Sequence, residues 1–156
     1  MPGDAPFHYI GCGCVVTDGD GRFLLVRETK AAARGRLALP AGSLEPDESI
    51  TEAAVREVLE ETGLTVEVTG LLGIFHCART VENSFGVNFV FEARRVAGEI
   101  TMSDEHPEIV WKTIREIDAL HDAGGIRGGH VPIAVRRSAS GVHLDGTSVT
   151  EVSATD

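Results

Sequence analysis

The sequence predicts an α/β domain, a β-sheet packed against helices, and three observations carry that expectation. Apolar runs rich in β-branched residues are punctuated by Asp/Gly and polar turns, which is how strands read. Two stretches begin with a Ser or Thr followed three residues later by Glu, the signature of a capped helix start. The chain has 156 residues of which 42% are apolar, enough for one hydrophobic core and too few residues for two ordinary domains.

The elements follow in order. Residues 9–16 are mostly apolar or small, then come Asp18-Gly19-Asp20-Gly21 and Phe23-Leu24-Leu25-Val26, which together predict a β-hairpin. Cys12 and Cys14, two apart on the first strand, share one face and read as buried thiols. A loop over residues 29–36 leads to Leu37-Ala38-Leu39-Pro40-Ala41-Gly42. Ser49-Ile50-Thr51-Glu52 opens a helix whose apolar side is Ala53, Ala54, Val55, Val58 and Leu59, and Gly63 stops it. Residues 65–79 and 85–96 read as two strands around a polar turn near Glu82-Asn83-Ser84. Glu108-Ile109-Val110-Trp111-Lys112 reads as a further short strand feeding a second helix at Thr113-Ile114-Arg115-Glu116. A Gly-rich connection (Gly124-Gly125, Gly128-Gly129) precedes a third, short helix begun near Pro132. The domain is thus placed over residues 1–137. The polar tail, residues 138–156, reads as disordered or as a small hairpin around Val142-His143-Leu144-Asp145-Gly146-Thr147.

Charge narrows the partners. Twenty-four acids against 14 bases give a net charge of −10, with no Lys/Arg-rich run. Nucleic acid is therefore not an expected partner, because basic residues must displace its counterions. No apolar stretch reaches the length of a membrane-spanning helix, and the first residues show no secretion pattern, so the expected location is the cytoplasm and no membrane partner is expected. Cys12, Cys14 and Cys77 are odd in number and contain no CxxC pair, which argues against a disulfide framework.

The chemistry is concentrated in residues 42–64. Glu57, Glu60 and Glu61 stand at i, i+3 and i+4 and share an arc of roughly 100° on one helix face. Their mutual repulsion calls for an offset. Either they form a solvated acidic stripe, with Arg56 bridging to Glu52 and Glu60, or they serve a site.

The full pattern is Gly42, five residues, Glu48, seven residues, then Arg56-Glu57-Val58-Leu59-Glu60-Glu61-Thr62-Gly63-Leu64. It matches every fixed position of the Nudix box, G-x5-E-x7-R-E-U-x-E-E-x-G-U with U aliphatic. The chain resembles a Nudix hydrolase of the MutT-related kind over roughly residues 9–120. The resemblance implies an α/β/α Nudix sandwich with a mixed β-sheet between helices. It also implies metal-dependent attack of water on a phosphorus of a nucleoside diphosphate linked to another group. Mg²⁺, or Mn²⁺, is the implied cofactor, since both favour hard oxygen ligands. The implied metal ligands are Glu57, Glu60, Glu61 and the carbonyl of Ala41. Gly42, Glu48, Arg56 and Gly63 take the structural positions of the box, with Glu48 and Arg56 as an ion pair. A metal-loaded acidic cluster would also let an acidic protein hold an anionic substrate.

The general base is left open between Glu57 and a later loop acid. In similar MutT-type members a glutamate lies six residues before a tryptophan, which places Glu105 ahead of Trp111, with Asp104 and Glu108 as neighbours. For substrate contact the candidates are Arg27 to a phosphate, Leu39 and His130 to the base, and Phe75, Phe89 or Trp111 as stacking surfaces. His76, His106 and His121 show no ligand spacing. Thr80 stands where ADP-ribose-cleaving members carry proline, and Val81 and Glu82 where diadenosine polyphosphate hydrolases carry tyrosine. Those substrates are accordingly less favoured than a nucleoside triphosphate. The expected partner is a small nucleotide or other diphosphate, and the protein a monomer or homodimer. A catalytically silent nucleotide sensor and a hydrolase of a non-nucleotide diphosphate are the alternatives.

Overall fold

A computed structural model describes residues 7–33, 35–79, 84–144 and 150–152. In chain order the first half holds β1 (Phe7–Thr17), β2 (Arg22–Arg27), a 3-10 turn (Ala31–Ala33), β3 (Leu37–Ala38), β4 (Ala41–Ser43) and α1 (Ile50–Thr62). The second half holds β5 (Leu64–Arg79), β6 (Ser84–Gly98), β7 (Ile109–Thr113), α2 (Ile114–Asp122), α3 (His130–Ala139) and β8 (Thr150–Val152).

Strand β1 organises the sheet because its two edges do different work. One edge pairs in parallel with β6 along its whole length, from Phe7↔Ser84 to Thr17↔Arg94. The other edge is shared: β4 lies antiparallel on its middle (Gly11↔Ser43 to Gly13↔Ala41), and β2 meets it only at Thr17↔Phe23. The strand order is β3-β2-β1-β6-β5-β8, with β4 on β1 and β7 on β2, so the sheet is mixed as expected. The predicted hairpin therefore closes at its turn and then splays, which opens the gap that β4 fills. That turn is held by Asp18, whose Oδ1 accepts from the backbone N–H of Asp20 at 2.8 Å and of Arg22 at 3.1 Å.

Helices cover both faces. On one, α1 packs Ala53, Ala54 and Val58 against Cys12, Cys14, Val16 and Leu24. On the other, α2 and α3 pack Ile117, Val131, Ala134 and Val135 against Val15, Leu25 and Phe75. Adjacent residues Leu24 and Leu25 serve opposite cores because strand side chains alternate, which is why β2 reads as an unbroken apolar run. All three cysteines are free and buried, and burial pushes the Cys12 and Cys14 thiols up to about 11 and about 12.

Both capping boxes form. Ser49 and Glu52 exchange side-chain and backbone hydrogen bonds at the start of α1, as do Thr113 and Glu116 at the start of α2. Gly63 ends α1 at φ +80°, and a Cβ there would strike the Glu99 carbonyl.

Four details differ from expectation. Leu59 is 48% exposed, because the apolar stripe of α1 is only as wide as its contact with the sheet. The loop over residues 29–36 contains the 3-10 turn. The third helix begins at His130 and runs through Ala139, so the domain boundary at 137 falls inside it. The start of the tail is laid on the domain: the Leu144 N–H bonds the Leu71 carbonyl at 2.8 Å, and β8 pairs in parallel with β5. Leu144 thus bonds the sheet. Asp145-Gly146-Thr147 and the turn near Glu82-Asn83 lie outside the described residues. Among the described residues, no helix is long and apolar enough to cross a membrane.

Candidate active site

Strand β4 and helix α1 meet where the 42–64 pattern folds back on itself. Gly42 packs directly on the Glu57 carboxylate, and a Cβ at that position would overlap it. Only glycine leaves the room, so the pattern's first residue and its first helical acid are in contact.

Arg56 is the hub. Its guanidinium grips Glu48 with two bonds (Nε to Oε2 at 2.8 Å, Nη2 to Oε1 at 2.7 Å). It also donates to Glu57 Oε1 at 2.7 Å, to Glu60 Oε2 at 3.2 Å and to the Ser43 carbonyl at 3.1 Å. Such a fork is what a planar guanidinium offers and an ammonium does not. Glu52, a partner expected for Arg56, is occupied by the cap instead. The Arg56 bond lowers the pKa of Glu48, and Glu48 in turn raises that of Arg56.

Glu61 is in a different position. Its side chain is 11% exposed. One oxygen accepts the Ala41 N–H at 3.3 Å, whereas the Arg56 bonds go to Glu48, Glu57 and Glu60. Burial, then the charges of Glu57 and Glu28, push its carboxyl up to about 9. Burial also raises Glu57, against the pull of Arg56.

These acids form one wall of a cavity of about 600 Å³ that is also lined by Ala41, Leu39, Phe89 and His130. Glu105 reaches the same cavity from the loop 101–108, exposed to solvent. Of the predicted site residues, Leu39, Ala41, Gly42, Glu57, Glu60, Glu61, Glu105 and His130 converge here.

Others do not. Arg27 is absent from the lining, its guanidinium taken by Glu108 Oε2 at 2.7 Å and the Gly35 carbonyl at 2.6 Å. Glu108 is thereby also removed as a candidate base, and Asp104 does not line the cavity. Phe75 is fully buried in the α2/α3 core, with its ring centroid 5.3 Å from that of His130, so it backs the pocket without facing it. Trp111 packs in the α1-side core. Phe89 is the one stacking candidate of the three that lines the cavity.

Glu28, Lys30, Asn88, His106 and Arg127, to which no motif or spacing gives a role, also line the cavity. Glu28 and Lys30 follow directly on β2, and His106 directly on Glu105; adjacency was the available signal. Arg127, ion-paired with Glu28 at 3.7 Å, arrives from the Gly-rich connection and left no local mark.

The donor set suits a hard divalent cation. Glu57, Glu60 and Glu61 offer only oxygen, and Glu61 is a buried acid among acids, a charge deficit that a cation would settle. Among the described residues no three acidic, His or Cys side chains are gathered closely enough to hold an ion. The cause is visible in the bonds: Glu57 and Glu60 are turned onto Arg56, and Glu61 onto the Ala41 N–H.

The NUDIX domain family matches residues 8–131. The chain belongs to the NUDIX family. A MutT-like protein of Streptomyces ambofaciens is 35% identical, over 89% of this chain and 88% of that one. An ADP-ribose pyrophosphatase of Methanocaldococcus jannaschii is 32% identical, over 67% of this chain and 62% of that one. A NUDIX hydrolase of Nitrosomonas europaea superposes with a TM-score of 0.77 at 29% identity, over 91% of this chain and 97% of that one. As a Nudix protein the chain is a hydrolase of phosphorus anhydrides.

Proposed function

We propose that this Nudix protein is a divalent-metal-dependent pyrophosphohydrolase whose substrate is a nucleoside diphosphate linked to a further group, with a nucleoside triphosphate as the leading case. One observation carries the proposal. The acids of α1 and the side chains of Leu39, Phe89 and His130 line a single cavity of about 600 Å³. One ligand would place its diphosphate at the acids and its base against Leu39, Phe89 and His130.

Glu57, Glu60, Glu61 and the Ala41 carbonyl are the residues that would hold Mg²⁺ or Mn²⁺. Bound there, the cation supplies Lewis-acid polarisation of the phosphoryl oxygens, acidification of water and charge neutralisation at the leaving phosphate. Glu105 takes the proton from the attacking water: it lines the cavity from a loop and is not turned onto Arg56, whereas Glu28, the other loop acid on that cavity, is paired with Arg127 at 3.7 Å. Glu57 is the second candidate base, but Arg56 holds one of its oxygens at 2.7 Å. Leu39 and Phe89 give the base an apolar slot, and His130 offers a ring nitrogen to its edge. Lys30 and Arg127 place positive charge on the same cavity, where substrate phosphates would lie.

The relative that cleaves ADP-ribose keeps that compound in contention, although Thr80 departs from the proline associated with it. The deciding experiment is a turnover panel with Mg²⁺ and Mn²⁺ compared. It should contain ordinary and oxidised nucleoside triphosphates, nucleoside diphosphates, ADP-ribose and a non-nucleotide diphosphate. Metal-dependent release of phosphate or pyrophosphate from a nucleotide supports the proposal. Metal-dependent binding without turnover would favour the sensor, and cleavage confined to the non-nucleotide compound would move the substrate class.

A further inference from the structure

His106 had no assigned role, yet the structure buries it. It lies in the exposed loop 101–108, but its side chain is only 12% exposed and lines the cavity. The loop is built to hold it there. Ser103 and His106 bond reciprocally, the Ser103 N–H to the His106 carbonyl and the His106 N–H to Ser103 Oγ, both at 3.1 Å. The Thr29 hydroxyl donates to the neighbouring Glu105 carbonyl at 2.9 Å, and the Thr101 N–H bonds the Thr62 carbonyl at the end of α1.

The imidazole has one nitrogen of each kind. Nδ1 is buried with no hydrogen-bond partner among the described residues, while Nε2 lies 3.8 Å from Glu61 Oε1. A buried N–H without an acceptor is costlier than a bare lone pair, so the ring carries its hydrogen on Nε2, on the side of Glu61. The other Glu61 oxygen is already held by the Ala41 N–H at 3.3 Å. The two contacts address the two oxygens of one carboxylate from opposite elements.

We propose that His106 is a positioning residue for the Glu61 carboxylate. Its Nε2–H donates to Oε1 as Ala41 holds Oε2, so that loading Glu61 with a divalent cation draws the loop 101–108, with Glu105, onto α1. A contraction of about 1 Å brings Nε2 within hydrogen-bond range. Carboxylates that bind metal are themselves oriented by such outer donors, and the loss of one commonly costs tenfold or more in metal affinity. The proposal rests on the metal-dependent reading above and gives Glu105 a reason to move with the metal.

The test is titration of the whole protein with Mg²⁺ alone, by calorimetry, in the parent, H106L and H106Q. A glutamine amide keeps a donor where leucine has none. H106L should bind Mg²⁺ about tenfold more weakly, with H106Q recovering most of the affinity. In turnover the deficit of H106L should fall on kcat and on the Mg²⁺ requirement and leave the nucleotide KM unchanged. Amide exchange of the parent gives an arm independent of the variants' folding: Mg²⁺ should raise protection across residues 101–108. Parent-like Mg²⁺ affinity in H106L, or unchanged protection of the loop in the parent, overturns the proposal. Metal binding with these responses but no nucleotide turnover would instead overturn the reading of the reaction and leave His106 where we place it.

Discussion

Glu61 carries a conflict at a single residue, a carboxyl held among acids and largely buried. Its folded-state pKa, about 9, lies well above the ordinary carboxylate value, so the folded protein holds that proton more tightly than the unfolded chain. Stability linked to this group is therefore present at low pH and lost as pH rises from about 4.5 toward about 9. Glu61→Gln removes the titration and keeps an acceptor for the Ala41 N–H. In chelator, E61Q should melt above the parent at about pH 8 and level with it near about pH 4. Its turnover should fall by at least about a hundredfold, because a ligand has been lost. Equal melting at both pH values would show that the Glu61 carboxyl is not under strain. Gly42 tests the same wall from the other side. Gly42→Ala places a methyl on the Glu57 carboxylate, so Glu57 must swing away. Turnover should drop by about tenfold or more while the rest of the fold persists, since displacing a reacting group by about 1 Å is enough. Parent-like kcat in G42A would mean that Glu57 is free to sit elsewhere.

Helix α1 shows at the element scale what was legible and why. Its start, its end and its acidic face were readable because each is set by residues within one or two turns: the Ser49–Glu52 box, the left-handed Gly63 and the i, i+3, i+4 spacing. What was not readable depends on partners far along the chain. β4 is three residues long and is a strand only because β1 leaves an edge open there. Arg27 looked available for phosphate until Glu108, 81 residues away, arrived beside it. His106 is buried by its loop's attachment to Thr29 and Thr62, which no local pattern announces. Arg56 is the part of α1 that ties local to distant, joining Glu48 and Ser43 to two acids of the helix. Arg56→Ala leaves Glu48 and Glu57 half-buried with no cation beside them, and stability should fall by about 2 kcal/mol. Arg56→Lys should recover less than half of that, because an ammonium cannot reproduce the two-pronged grip on Glu48. Urea unfolding of both variants measures it, and R56K as stable as the parent would reduce the hub to a point charge.

Over the whole molecule two populations of carboxylates pull the pH dependence in opposite directions. Glu48, Glu92 and Glu108 are held below the ordinary carboxylate range: Glu48 and Glu108 chiefly by the guanidiniums of Arg56 and Arg27, and Glu92 by Ser138, Thr69 and His143 against its own burial. Their contribution is present above the unfolded value and lost as pH falls through their folded values. Glu61, and Glu57 with it, run the other way, losing stability as pH rises. The metal-free protein should therefore be most stable in mildly acid solution and weaken toward alkaline pH, in keeping with a net charge of −10 that grows no smaller there. A divalent cation competes with the proton on Glu61, so its binding releases protons and tightens as pH rises. The increment in Tm produced by Mg²⁺ should accordingly be small near about pH 5 and grow up to about pH 9, shifting the stability maximum toward alkaline pH. NaCl at matched ionic strength should not reproduce the shift, because screening acts on the exposed charges and not on a buried carboxyl. E61Q should abolish most of the increment at every pH. A Tm increment that is flat with pH in the parent, or one that NaCl matches, would mean that the cation is held by the exposed acidic surface and not by the wall of α1.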